Sequence, residues 1–340
     1  MGITLHHLLD RYVESETPYK SRSKQGHDRR TAAMLKRFFA ASRGAETLNL
    51  GDWNRFIRAR REYRIGPPVT LMRAREAERK GKPLQPIGDR QIEYDLRFLW
   101  AVLTWGTRTG DARGRVLVAR HPLKDCVHAR HWPRERSPDR PALTGDQYRK
   151  LVDVASSMDW RFRVALTLAH ETGHRIGSIR RLRWSDVEAR EGWIRWRADA
   201  DKMGRAHRTP VTEGAREALE LAARHRDEPW PPDRALPAWL LPSPSDPSRP
   251  CSRNIMRDWW NRAQERAGLG GIPRLGWHAL RRKFANDLRH VPLKDLASLG
   301  GWKDTRTLLK CYLTEDEEAM VEALGSRRSP HQRGGDRGEE

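Results

Sequence analysis

The sequence predicts a mainly α protein with a small β-sheet, an α+β architecture in two domains. Three observations lead there. Apolar residues recur at three- and four-residue spacing through most of the chain. A single segment, Trp193-Ile194-Arg195-Trp196-Arg197, alternates in strand fashion. The stretch from His131 to Pro141 loses apolar periodicity and is rich in proline and charge, as interdomain linkers are. These place one helical domain over residues 1–130, a linker over 131–141, a second domain over 142–325 and a disordered tail over 326–340.

In the first domain, Thr4 to Val13 starts one helix. Ala32 to Phe39 continues a second behind the polar basic run Ser21–Arg30, with Met34, Leu35, Phe38 and Phe39 at helical spacing. Asp52 to Arg64 is a third. Ile92 to Trp105 is a fourth, its stripe made by Leu96, Leu99, Trp100 and Leu103. In the second domain Thr144 is the expected N-cap of a helix through Ser157. Trp160–His170 follows, then the alternating strand, with Thr209-Pro210-Val211 as its return partner. Gly214–His225 is helical. Asp227–Cys251 is a proline-rich loop with a short strand at Trp239-Leu240-Leu241. Helices resume at Ser252–Ala267, His278–Arg289 and Thr305–Tyr312, and Glu315–Leu324 forms a short one with Met320, Val321 and Leu324 on one side.

The formal charge is +21 over 340 residues. An excess this large repels itself unless a polyanion is the partner, and nucleic acid is the first candidate. An anionic membrane surface would call for an amphipathic anchor, and none stands out. No stretch approaches the ~18 apolar residues of a membrane span. The first residues, Met1-Gly2-Ile3-Thr4-Leu5-His6-His7, lack the basic-then-apolar pattern of a secretory signal. Cys126, Cys251 and Cys311 are far apart and odd in number, so neither a disulfide framework nor a metal spacing results, and a reducing cytoplasm fits.

Four separated segments of the second domain set basic or polar residues beside turn signals: Thr172-Gly173-His174-Arg175, Lys202 eight residues before Pro210, His278-Ala279-Leu280-Arg281, and Leu299-Gly300-Gly301-Trp302. Tyr312 stands ten residues after Trp302. Each has a bland reading. Arg175 belongs to an arginine-rich run, His278 suits a helix start, Lys202 a turn, Tyr312 an apolar helix face, and Trp302 packing. In this order, however, the set resembles the tyrosine recombinase (phage integrase) family, with its T-G-x-R, hairpin lysine, H-x-x-R, L-G-H/W and tyrosine. The resemblance covers residues 142–324 well and residues 3–110 in general character, as a helical core-site DNA-binding domain; no separate arm-site domain is expected ahead of residue 3.

The resemblance implies catalytic roles for Tyr312, Arg175, Lys202, His278, Arg281 and Trp302. In-line attack on a phosphodiester builds charge on its non-bridging oxygens. Two guanidiniums hold those oxygens and stay charged throughout, so neither metal nor cofactor is called for. His278 takes or relays the tyrosine proton, and Lys202 protonates the leaving 5′ oxygen. Trp302 stands where many relatives have a second histidine; its indole donates a hydrogen bond but shuttles no proton. The covalent 3′-phosphotyrosine retains the bond energy, so rejoining needs no ATP. The implied partners are double-stranded recombination sites and further copies of the chain, four in synapsis, in the cytoplasm of a prokaryote or its phage. Ser178 departs from the pattern, because many relatives carry an acidic residue three positions after the first arginine.

Two other readings use the same charge. A DNA-binding module without catalysis would not need the tyrosine, and type IB topoisomerases use a similar arginine, lysine, histidine and tyrosine set. A third reading comes from His170-Glu171-Thr172-Gly173-His174, which spells the H-E-x-x-H zinc string. The extended form of that motif needs a third ligand where Arg180 stands, and Gly173 is a poor residue for the unbroken helix it requires.

Overall fold

The computed structural model describes residues 2–81, 87–134, 141–201, 204–226, 237–314 and 317–325. The chain divides into two compact units, Met1–Pro138 and Asp139–Glu340. Most of the linker expected at 131–141 and all of the tail expected at 326–340 lie outside the described residues.

The first unit is helical: α1 (Leu5–Ser15), α2 (Arg22–Phe38), α3 (Leu50–Arg61), α4 (Pro68–Arg79) and α5 (Asp89–Gly106). Thr4 caps α1 by accepting from the His7 N–H. Leu5, Leu8, Leu9 and Tyr12 then fall on one face and are buried against the matching stripe of α5, Ile92, Leu96, Leu99 and Leu103. Asn49 and Asp52 form a capping box at the start of α3. The basic run 21–30, expected ahead of the second helix, is instead the first half of α2. The reason is a buried polar anchor in place of an apolar stripe: Asp28, 4% exposed, accepts from Thr17 Oγ1 at 3.2 Å and from Lys20 Nζ at 2.5 Å. α4 carries Arg75, Glu76, Glu78 and Arg79 around the buried Ala74, and its sequence shows no stripe to announce it.

The second unit is built on α7 (Trp160–Thr172), which follows α6 (Gly145–Ala155). Thr144 and Gln147 close a capping box on α6. Phe162, Val164, Ala165, Leu166, Leu168 and Ala169 are all buried, so α7 is apolar nearly all round, the mark of a central helix. One turn, α8 (Ile176–Ile179), leads to a three-stranded antiparallel sheet in the order β1 (Val187–Glu188), β2 (Trp193–Trp196) and β3 (His207–Pro210). Trp193 pairs with Pro210 and Trp196 with His207. Ile194 and Trp196 face inward while Trp193 faces out, as the alternation requires.

α9 (Glu213–Arg226) packs on α7. Of the expected 227–251 loop, residues 227–236 lie outside the described residues, and the strand expected at Trp239–Leu241 is a lone bridge between Trp239 and Arg183. α10 (Arg253–Arg266), α11 (Trp277–Asp287), α12 (Leu293–Leu299), α13 (Thr305–Cys311) and α14 (Glu317–Gly325) complete the unit. Phe284, Ala285, Leu296, Ala297, Trp302 and Leu308 form a small second core, with Tyr312 and Leu313 packed on it. Among the described residues, no helix is long and apolar enough to cross a membrane.

Candidate active site

Two glycine turns frame the site. Gly173 ends α7 in the left-handed region, φ 63°, and a Cβ there would lie 2.3 Å from the Phe284 ring. The second turn ends α12. The Gly301 N–H (φ 66°) donates to Ser298 O at 3.2 Å, and the Trp302 N–H donates to Ala297 O at 2.8 Å. This is a Schellman motif. It turns Trp302 back over the helix end, where the indole is 1% exposed, and a Cβ on Gly300 would sit 1.8 Å from it. The T-G-x-R and L-G-G-W strings are therefore both helix-ending turns.

Arg281, on α11 and 1% exposed, ties the turns together. Its Nη1 donates to Gly173 O and to Gly300 O, each at 2.5 Å. Its guanidinium lies 3.7 Å from the Trp302 ring centre and 5.2 Å from that of Tyr312, and these two rings meet edge to face at 5.1 Å. The Nε and Nη2 of Arg281 and the Nε1 of Trp302 are buried without a hydrogen-bond partner. Burial pushes the Arg281 guanidinium down to about 9; the nearby Tyr312 opposes this and the Arg175 cation adds to it. Buried donors left unpaired are costly, and an oxyanion is the group that would pair them.

Arg175 stands at the N-cap of α8 with its side chain 19% exposed, and its Nη1 is 3.5 Å from Asp201 Oδ1. His278 is exposed on α11, one turn before Arg281 and on the same side of the helix. Lys202 lies outside the described residues. Arg175, Arg281, Trp302 and Tyr312 thus form one cluster, with His278 at its edge.

Tyr312 caps α13 rather than lying within it; its N–H donates to Leu308 O at 3.0 Å. Asn286 holds the chain around it. The Asn286 amide nitrogen donates to Tyr312 O at 2.9 Å, and its oxygen accepts from the Thr314 N–H at 3.0 Å and Oγ1 at 2.8 Å. Sequence reasoning missed Asn286, and it missed Asp201, the carboxylate beside Arg175. Ser178 is buried and brings no charge to that arginine.

The H-E-x-x-H string is not a metal site, because Gly173 ends the helix between its histidines. His170 Nδ1 lies 2.9 Å from Glu171 Oε1 and its ring stacks on Tyr148, whereas His174 Nε2 meets His207 Nε2 at 2.7 Å. Among the described residues, no three His, Cys, Asp or Glu side chains are grouped to hold a metal.

Residues 141–319 match the model of the phage integrase family. The fold resembles that of a Tn1549 transposon integrase in complex with a circular intermediate DNA, at TM-score 0.68 and 15% identity over 95% of this chain and 99% of that one. It also resembles a lambda integrase dimer bound to a COC′ core site, at TM-score 0.63 and 16% identity over 93% of this chain and 80% of that one. A lambda integrase tetramer bound to a Holliday junction matches at TM-score 0.61 and 16% identity, with the same coverage. No curated protein matches the chain in sequence.

Proposed function

The chain belongs to the phage integrase family and is a site-specific tyrosine recombinase, and from that premise we propose that Tyr312 is its nucleophile, with Arg175 and Arg281 as the phosphate ligands. The Tyr312 oxygen attacks the scissile phosphorus, a 3′-phosphotyrosine bond forms and the bond to the 5′ oxygen breaks. His278 accepts the phenol proton, and Lys202 delivers one to the leaving oxygen. Arg281 offers Nε and Nη2 to the non-bridging oxygens, Arg175 exchanges Asp201 for the phosphate, and the Trp302 indole donates a further hydrogen bond. Attack by the freed 5′ hydroxyl reverses the step without ATP or metal.

The observation that carries this reading is Arg281, a buried cation with two unpaired N–H donors beside the Tyr312 ring. The substrate is double-stranded DNA. Arg253, Arg257 and Arg262 are exposed on α10, flanking the buried stripe of Met256, Trp259 and Trp260, and supply phosphate contacts, as does the basic first half of α2. By analogy with the lambda integrase tetramer on a Holliday junction, four copies exchange strands. Met320, Val321 and Leu324, exposed on α14, dock on a neighbouring copy. The setting is the cytoplasm, on the nucleoid.

A nicked suicide substrate carrying the cognate site tests the nucleophile. A covalent protein–DNA adduct on a denaturing gel, lost in Tyr312→Phe, is expected. An adduct that persists in that variant moves the nucleophile elsewhere. No adduct with any cognate site favours a DNA-binding module without catalysis.

A further inference from the structure

The Arg175 turn, the start of β3 and the Gly301 turn meet at two histidines that the chemistry above does not use. His174 is 4% exposed, and its ring stacks on Trp196 at 3.6 Å with 5° between the planes. Its Nδ1 lies 2.8 Å from Thr172 O. A carbonyl only accepts, so Nδ1 carries the proton and Nε2 presents a lone pair. His207 Nδ1 lies 3.3 Å from Arg205 O, a longer contact than the 2.7 Å between the two Nε2 atoms, so the neutral His207 ring keeps its one proton on Nε2 and is the donor. The Gly301 backbone closes on the pair: a Cβ there would lie 2.4 Å from His207 Nε2 and 3.2 Å from His174 Nε2. Burial, with the Arg281 cation adding to it, holds His174 well below the usual imidazole range, and burial lowers His207 as well. At neutral pH one proton bridges the two rings.

We propose that His207 is a positioning residue for the recombination reaction: its hydrogen bond to His174 locks β3 onto the turn that carries Arg175 and, through Gly301, onto the turn whose Gly300 carbonyl holds Arg281. Loss of the bond frees the two arginines to drift relative to each other. The inference rests on the reading of Arg175 and Arg281 as phosphate ligands. Two features support it. His174 precedes Arg175 directly in the chain, and Gly301 follows the residue whose carbonyl accepts from Arg281. The bond also joins residues 33 apart in sequence, so no local structure duplicates it.

The test uses the full chain and the nicked substrate at saturating DNA, with cleavage rate and DNA affinity measured separately. His207→Gln keeps an amide donor at the reach of Nε2, and His207→Phe keeps the ring without the donor. Since a misplacement of about 1 Å costs roughly a hundredfold in rate, His207→Phe should cleave about 30- to 100-fold more slowly, with Kd within about threefold of wild type. His207→Gln should stay within about threefold in both. If the Phe variant fails to fold, His207→Asn, whose amide falls short of His174, takes its place. The proposal is overturned if the donor-less variant cleaves like wild type, if Gln is as impaired as Phe, or if the loss lies in Kd alone. Arg175→Ala separates the two levels. Wild-type cleavage there sinks the phosphate-ligand reading, whereas its loss beside an unimpaired His207→Phe sinks only the role of His207.

Discussion

Among the described residues, each unit holds one arginine at 2% exposure or less, and the two are finished differently. Arg60, 2% exposed, sends Nε to Asp95 Oδ2 at 2.9 Å and Nη1 to Ile65 O at 3.1 Å, and Gln91 covers the other carboxylate oxygen at 3.1 Å. Arg281, 1% exposed, has two backbone carbonyls, no carboxylate, and two N–H groups left over. A buried charge is tolerated when paired and hydrogen-bonded. Arg60 satisfies that condition inside the fold, so its role is structural. Arg281 has no bonded carboxylate to satisfy it inside the fold, and on the reading proposed above an anion from outside completes it.

The sharpest way to break the contrast is to swap the head groups. Arg281→Lys keeps a cation and donors for both carbonyls but loses the fork. Cleavage of the nicked substrate should fall by about 10²–10³-fold while the thermal midpoint barely moves; a near-normal cleavage rate would end the case for Arg281. Arg60→Met should do the reverse. It strands a buried carboxylate and costs about 3–5 kcal/mol, seen as an earlier first transition in calorimetry. Arg60→Met with Asp95→Leu should recover most of that loss. A double variant as unstable as the single one would show that the pair itself, not the stranded charge, matters.

Asn286 gives a smaller effect. Asn286→Leu removes the hydrogen bonds to both Tyr312 O and Thr314. Cleavage should drop about tenfold at unchanged DNA affinity, because Tyr312, the nucleophile proposed above, wanders while the exposed basic residues are untouched. The smallest effect is a pH dependence. His174 and His207 are held below their ordinary value by burial, so the unfolded chain binds more protons than the folded one just below the free imidazole range. Stability should therefore fall as pH drops below about 6.5, and His207→Gln should flatten that fall. Equal slopes of midpoint against pH in the two proteins would remove the pair from the account.

Much of the site was legible in the sequence because its turns need particular residues. Gly173 and Gly301 sit at positive φ, and the order of Arg175, Arg281, Trp302 and Tyr312 survived into one cluster. Asp201, Asn286 and His207 were not legible. Each acts on a partner 26 to 33 residues away, and only the fold brings them together. Helices α4 and α12 went unread for a different reason. One is dominated by charge, and the other has seven residues, too few for a periodic pattern to show. The basic half of α2 was misplaced because polar bonds, invisible to hydrophobic spacing, anchor it.

The glycine turns also set where this enzyme can be re-engineered. A saturation library at Gly173, Gly300 or Gly301 should return wild type, since even a methyl group meets Phe284, Trp302 or His207 below 3.0 Å. Gly177 and Gly276 have open space around the missing Cβ and ordinary backbone angles. Both lie within a few residues of the arginines, Gly177 after Arg175 and Gly276 before Arg281. Tolerated diversity close to Arg175 and Arg281 is therefore expected at Gly177 and Gly276 rather than in the two turns, and a selected change in site preference should appear there first.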